Sequence, residues 1–213
     1  MSQTVEHIVL FKVKDNTDSS KIKSMVDGLN SLISLDKALY LSTGPILRNQ
    51  SPSLGFTHML HGRFKSIDNL VTYLSHPTHT SVLNELVDPI CDDLILVDWV
   101  GDVLDEPLII PPSGVVLKVS LLKLKEGLGE SEKAEVLKVI GDIKKHFGST
   151  YQFTFGENIA QVRTNGYSIA SLAIFPGISE MEALDTDKVF VKEQKEKIKD
   201  FLESAIIVDY ELC

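Results

Sequence analysis

Cysteine is scarce in this 213-residue chain: Cys91 and Cys213 are the only two, and the second is the last residue. Two thiols, one of them at a terminus where ordering is poor, build no disulfide framework, which implies a reducing compartment. Positive charge is also short, with 21 Lys and Arg against 30 Asp and Glu and a net charge of -9. An acidic surface repels nucleic acid and anionic lipid, so neither is an expected partner. No apolar run approaches the roughly 18 residues that span a bilayer. The opening MSQTVEHIVLFKVK enters a strand pattern within a few residues, leaving no room for a signal or transit peptide, and the tail YELC is not a peroxisomal address. The expected setting is the cytoplasm, without a membrane partner. Glycine forms neither a Walker A nor a dinucleotide-binding fingerprint.

What the chain does have is 43% hydrophobic residues and a duplicated plan. Phe11-Lys12-Val13-Lys14 falls on Leu122-Lys123-Leu124-Lys125, an offset of 111 residues. The same offset sets Gly55-Phe56-Thr57-His58 on Gly166-Tyr167-Ser168-Ile169, and Leu96-Val97-Asp98-Trp99 on Ile207-Val208-Asp209-Tyr210. A one-residue gap is needed near Gly44 and Gly156. Repeats of this length mark one structural unit used twice.

Within the first copy the hydrophobic period changes in order. His7, Val9, Phe11 and Val13 alternate with Ile8, Leu10 and Lys12, the period of a strand. Asp18-Ser19-Ser20 then caps an amphipathic helix carrying Ile22, Met25, Val26, Leu29, Leu32 and Ile33. Strands are expected around 37–41, 56–64 and 94–100, with a second helix that starts at Ser66 and Asp68 and breaks at His76-Pro77. The second copy reads alike, with helices near 130–146 and 179–199. This is the β-α-β-β-α-β order of ferredoxin-like α+β units. The first unit is placed at 5–100, a linker punctuated by Pro107, Pro111, Pro112 and Gly114 at 101–114, and the second unit at 115–211. A lone unit would expose the sheet face its helices leave bare, whereas two units can press those faces into one dimeric α+β barrel within a single chain. The other arrangement is two independent domains on a string. Further association into a homodimer is a separate possibility.

Five of the six histidines, His7, His58, His61, His76 and His79, lie in the first copy. His7 and His58 sit on strands expected to be central neighbours and form a cross-strand pair if the register allows; His61, of opposite parity, faces away. Tyr73, His76 and His79 follow on the broken helix, so a pocket between helix and sheet would combine imidazoles, a phenol and an apolar lining. The second copy has Lys118, Ile169, Leu184, Asp187 and Phe190 at the places of His7, His58, Tyr73, His76 and His79, so the fold alone does not demand this cluster. His146, near Lys144 and Lys145 at the end of a helix, needs no function there. The His-Pro-Thr-His spacing is short for two zinc ligands on one helix face, and no cysteine or carboxylate completes a tetrahedral set. Asp92-Asp93 and the charged stretch 192–199 read as solvated faces.

The segments EHIVLFKVK, GFTHML and YLSHPTH, in that order, resemble the stress-response A/B barrel family, and the tandem plan is similar to its plant members with fused repeats. The resemblance implies a dimeric α+β barrel and, for the first unit, a site for a small apolar or aromatic molecule. One branch, the plant polyketide cyclases, closes a tetraketide acyl thioester by aldol condensation. By that resemblance His79 matches the general base and Tyr73 the hydroxyl that holds the substrate, with His7 and His58 beside them. An imidazole can take a proton from an activated methylene while a phenol bonds the developing enolate. The family implies no required cofactor; some relatives hold magnesium on main-chain carbonyls after the first helix, here those of Asn30, Ile33 and Asp36.

Overall fold

The computed structural model describes residues 3–103, 111, 113–147, 152–186 and 188–212. Most of the expected linker, as well as Cys213 and Asp187, lies outside the described residues. In the first half β1 (Gln3–Val13) leads into α1 (Ser19–Ser31), whose N-cap Asp18 accepts the Ser20 N–H at 2.7 Å. A 3₁₀ turn, Leu32–Leu35, precedes β2 (Ala38–Pro45) and the two-residue β3 (Arg48–Asn49); β4 (His58–Phe64) follows. Ser66 caps α2 (Ile67–Leu74), accepting from the Asn69 N–H. Pro77 then opens α3 (Pro77–Val82), where its missing N–H costs nothing. A π-helical turn, Leu83–Val87, leads to β5 (Cys91–Val103).

The second half repeats this with β6 (Val116–Leu124), α4 (Glu130–Phe147), β7 (Gln152–Glu157), β8 (Tyr167–Phe175), α5 (Ile178–Thr186), α6 (Lys188–Ile198) and β9 (Leu202–Glu211). The sheets run β2-β4-β1-β5 and β3-β9-β6-β8-β7, so the first and third main strands of each unit are central, antiparallel neighbours. Two strands outrun their expected lengths. β2 continues through Gly44 and Pro45, which pair with Met59 and His58 at the sheet edge, where a proline is tolerated. β5 starts at Cys91 and reaches Val103.

The chain is one barrel, not two domains on a string. Even-numbered residues of β1 face inward: Ile8 and Leu10 join Met59, Val97 and Trp99 in a single buried cluster with Leu117, Val119, Leu172 and Val208 of the second half. Odd-numbered residues face the helices, where Val5, Val9 and Phe11 pack with Met25, Leu29 and Leu70. Each half also reaches over the other's last strand. The Leu47 N–H donates to the Asp209 carbonyl, and its counterpart Ile159 donates to the Asp98 carbonyl, both at 2.8 Å. β3 pairs with β9 within the same arm. Glycine permits the crossing: a Cβ at Gly44 would lie 3.1 Å from the Tyr210 hydroxyl, and one at Gly156 would lie 3.2 Å from Trp99. Tyr210 matches Trp99 in the repeat, so the seam is pseudo-symmetric.

Candidate functional site

The helix-facing side of β1 carries His7, buried at 2% exposure. Tyr73, fully buried, comes down from α2 with its ring centroid 6.2 Å from that of His7 and 5.1 Å from that of Phe64. His79, buried on α3, lies edge-on to Tyr73 at 4.8 Å. The break at Pro77 makes this possible, because it turns α3 so that His79 points inward. His76 does not join them: its Nδ1 accepts the Thr78 N–H at 3.2 Å and so caps α3, a local structural task.

His58 is not a cross-strand partner of His7. The register sets His7 opposite Gly62 and His58 opposite Phe11, four residues along the strand. At about 3.3 Å per residue that is about 13 Å, on the same sheet face but out of reach. His58 sits at the half-buried strand end, its Nδ1 within 2.9 Å of the Thr57 hydroxyl, and burial pushes its imidazole below the ordinary range. His61 faces away, as its parity requires.

Asp98, which the motif reading passed over, completes the first group. Its Oδ1 lies 2.6 Å from His7 Nδ1, across the β1–β5 pairing, and both side chains are buried. The repeat contained the signal: Asp98 matches Asp209, and Lys118, the match of His7, stands 3.1 Å from Asp209. Both units therefore place a nitrogen base against a buried aspartate at this crossing. His7→Lys is accordingly expected to change stability by less than about 1 kcal/mol in urea unfolding, since it reproduces a pair the fold already accepts; a loss of several kcal/mol would refute that account. What the first unit adds is the Tyr73–His79 pair above it. At the equivalent of His79, Phe190 stacks on His146 at 3.6 Å.

The electrostatics of the pair follow from burial. Burial, then the neighbouring His7, lowers the His79 imidazole to about 4, with a hydrogen bond to the Leu74 backbone acting the other way. His79 is therefore neutral at pH 7. Burial raises the Tyr73 phenol well above its ordinary value, so it is a hydrogen-bond donor and not an anion. The Tyr73 hydroxyl and His79 Nδ1 are both buried, and neither has a hydrogen-bond partner among the described residues.

A second polar group occupies the barrel interior. Glu6, His61 and Arg63 are fully buried there, with Glu6 Oε2 2.7 Å from His61 Nε2 and Glu6 Oε1 2.8 Å from Arg63 Nε. Thr154, from the other half, donates to Glu6 Oε1 at 3.3 Å. Burial alone would push the Glu6 carboxyl up, but Arg63 and His61 together outweigh it and hold the carboxyl below its usual range. His61 is lowered by burial, with Glu6 opposing. The second half has Leu117, Leu172 and Ile174 at these places.

The segment proposed for magnesium closes on itself. The Asn30 carbonyl accepts the Leu32 N–H, and the Ile33 carbonyl accepts the Asp36 N–H at 3.1 Å. Among the described residues no three His, Cys, Asp or Glu side chains gather as metal ligands.

Comparison with known proteins agrees with the two-unit barrel. The stress responsive A/B barrel domain matches the chain twice, over 5–101 and 116–212. One stress-response A/B barrel domain-containing protein of Arabidopsis thaliana is 46% identical over 209 residues, covering 98% of this chain and 79% of the relative. A second protein of that description from the same plant is 40% identical over 212 residues, covering 99% and 97%. Among solved structures, an anthrone oxidase-like protein superposes with a TM-score of 0.67 at 8% identity, covering 100% of this chain and 92% of its own. A proposed monooxygenase from Fusobacterium nucleatum does so with 0.66 at 11% identity, covering 99% and 93%. At such identities the structural likeness is one of fold. The two domain matches and the whole-chain relatives show that the chain belongs to the stress-response A/B barrel family.

Proposed function

We propose that the first unit binds a small apolar or aromatic molecule bearing a carbonyl or hydroxyl oxygen, held between the α2–α3 pair and the sheet. The observation that carries this reading is the pair of buried groups without hydrogen-bond partners among the described residues, the Tyr73 hydroxyl and His79 Nδ1. A buried polar group left unsatisfied costs about 1–3 kcal/mol, so a ligand oxygen taking the Tyr73 proton would relieve that penalty. Phe64 and Leu70 supply the apolar contacts. The second unit, which lacks the tyrosine and both histidines, serves as the built-in partner that closes the barrel. The reading needs no cofactor and assumes a cytoplasmic setting. Among the described residues no helix is long and apolar enough to cross a membrane.

Native mass spectrometry of gently purified protein, followed by a thermal-shift screen of phenols and aromatic ketones, tests the reading. A bound molecule or a stabilising hit is expected, and Tyr73→Phe should weaken it about tenfold, the value of one hydrogen bond. Hits that persist unchanged in both Tyr73→Phe and His79→Phe would sink it.

A second reading is an aldol-type polyketide cyclase, favoured by the unprotonated His79 beside a phenol donor. His79 Nδ1 would take a proton from an activated methylene and Tyr73 would bond the enolate oxygen. A base near 4 is far from the value close to working pH that suits proton abstraction. Assay of the wild-type chain against poly-β-keto thioesters decides the matter: an inert protein excludes the cyclase.

A further inference from the structure

One end of the barrel opens into a cavity of about 360 Å³, on the sheet face opposite His7, Tyr73 and His79. That volume lies within the range of about 300–1,000 Å³ that small-molecule sites occupy. Its walls come in pairs related by the repeat: Lys12 with Lys123, Phe56 with Tyr167, Asp93 with Ser204. The cavity therefore lies on the pseudo-two-fold axis, and both units build it. Glycines carry the lysines across the mouth. Gly55 and Gly166 have φ of +72° and +83°, and a Cβ there would stand 3.0 and 2.7 Å from the Lys12 and Lys123 Cε atoms. Each lysine stem thus lies flat over a glycine in the left-handed region, which directs its ammonium along the rim.

The repeat is broken where charge is concerned. Lys123 is paired with Glu203 at 2.8 Å, whereas among the described residues Lys12 makes no ion pair. Asp93 stands opposite Lys12 in the β1–β5 register, yet its carboxylate accepts from the Leu94 N–H at 2.8 Å and from Asn165 at 3.3 Å instead. An open cation and a positioned carboxylate thus flank an apolar floor of Phe56, Ile95 and Tyr167, all buried. A plain carboxylate would meet Asp93, and a plain amine would meet Lys12. A molecule carrying both charged groups on one carbon satisfies the two together.

We propose that the barrel mouth is a second small-molecule site that takes a zwitterion with an apolar side chain, an α-amino acid of the phenylalanine class. Its carboxylate pairs with Lys12, its ammonium with Asp93, and its ring rests between Phe56 and Tyr167. The site is independent of the one above, because it lies on the other face of the sheet.

The test is a titration of the ¹⁵N-labelled full chain with L-phenylalanine, following the Gly55 and Gly166 amides. Both are expected to shift saturably. Lys12→Gln and Asp93→Asn should each weaken the response at least about tenfold, as loss of a charge-assisted hydrogen bond does. Tyr73→Phe should leave it unchanged, which separates this site from the helix–sheet site. 3-Phenylpropionate and phenethylamine, each with one charge, should both bind more weakly than the amino acid. Absence of a saturable shift overturns the proposal, as does a response insensitive to Lys12→Gln. Equal binding of 3-phenylpropionate overturns the zwitterion class.

Discussion

Replacing Arg63 with methionine is expected to destabilise the chain by about 3–5 kcal/mol, read as a fall in the urea midpoint at constant slope. The guanidinium is fully buried inside the barrel and lies 2.8 Å from Glu6. Removing it leaves the buried Glu6 carboxylate with His61 and the Thr154 hydroxyl as its side-chain partners among the described residues. The carboxyl must then take up a proton or stay charged at high cost, and either outcome lowers the free energy of unfolding. The second half supplies the contrasting experiment. The pseudo-symmetric positions of Glu6, His61 and Arg63 are Leu117, Leu172 and Ile174, and the latter three pack in the barrel core. The triple replacement Glu6→Leu, His61→Leu, Arg63→Ile is therefore expected to recover most of the loss, because removing a whole buried polar group costs far less than orphaning one member. A single Arg63→Met variant as stable as the parent would refute the account. A triple variant no more stable than that single variant would show that the cluster supports the fold in some further way.

Much of this architecture was legible from alternation alone. The period-2 pattern of β1 assigned His7 to one face and Ile8 to the other, and the common offset identified two equivalent units whose bare faces had to meet. Alternation states which face a residue takes but not which residue it meets. The sequence therefore makes His58 a partner of His7 only if the register allows, and the β1–β4 register places it opposite Phe11. Register is set by the loops and bulges at strand ends, and here the connection carries an arm that crosses to the other half before β4 begins. Glu6 and Arg63 carry a signal of their own in the sequence. They are charged residues at the inward parity of strands read as core, and polar groups at such positions are expected to pair. Asp98 was equally visible once both copies were compared across the strand pair and not along a single strand. The break at Pro77 was legible, but its consequence, turning His79 inward while His76 caps the new helix, depended on the packing of α3 against the sheet.

That inward turn makes the stability of the protein depend on pH. The His79 imidazole titrates near 6.5 in an unfolded chain and at about 4 in the folded one, because burial and the facing His7 disfavour its cation. Between these values the unfolded chain binds a proton that the folded chain does not, so stability is lost as the pH falls through this window. Discounted for solvent screening, a shift of this size corresponds to at most about 3 kcal/mol. His61, lowered for the same reason, adds to the loss in the same direction. Glu6 acts at lower pH. Its folded value is depressed below 4.5, so its contribution is present above that value and disappears as the carboxylate is protonated. Urea unfolding at pH 7.5, 6, 5 and 4 should therefore show a stability that falls from about pH 6.5 downward. His79→Phe, which installs the residue the second unit carries as Phe190, should flatten the part between 6.5 and 4 and leave the shares due to His61 and His58. The expectation fails if the parent chain is equally stable at pH 7.5 and 4.5, or if His79→Phe loses as much stability over that range as the parent. The substitution also removes His79 Nδ1, a polar atom without a hydrogen-bond partner among the described residues, so the same variant that resists acid should bind its small molecule less well. Stability gained at the expense of binding is what a polar group retained for a ligand predicts, and an imidazole that merely filled the core would show no such opposition.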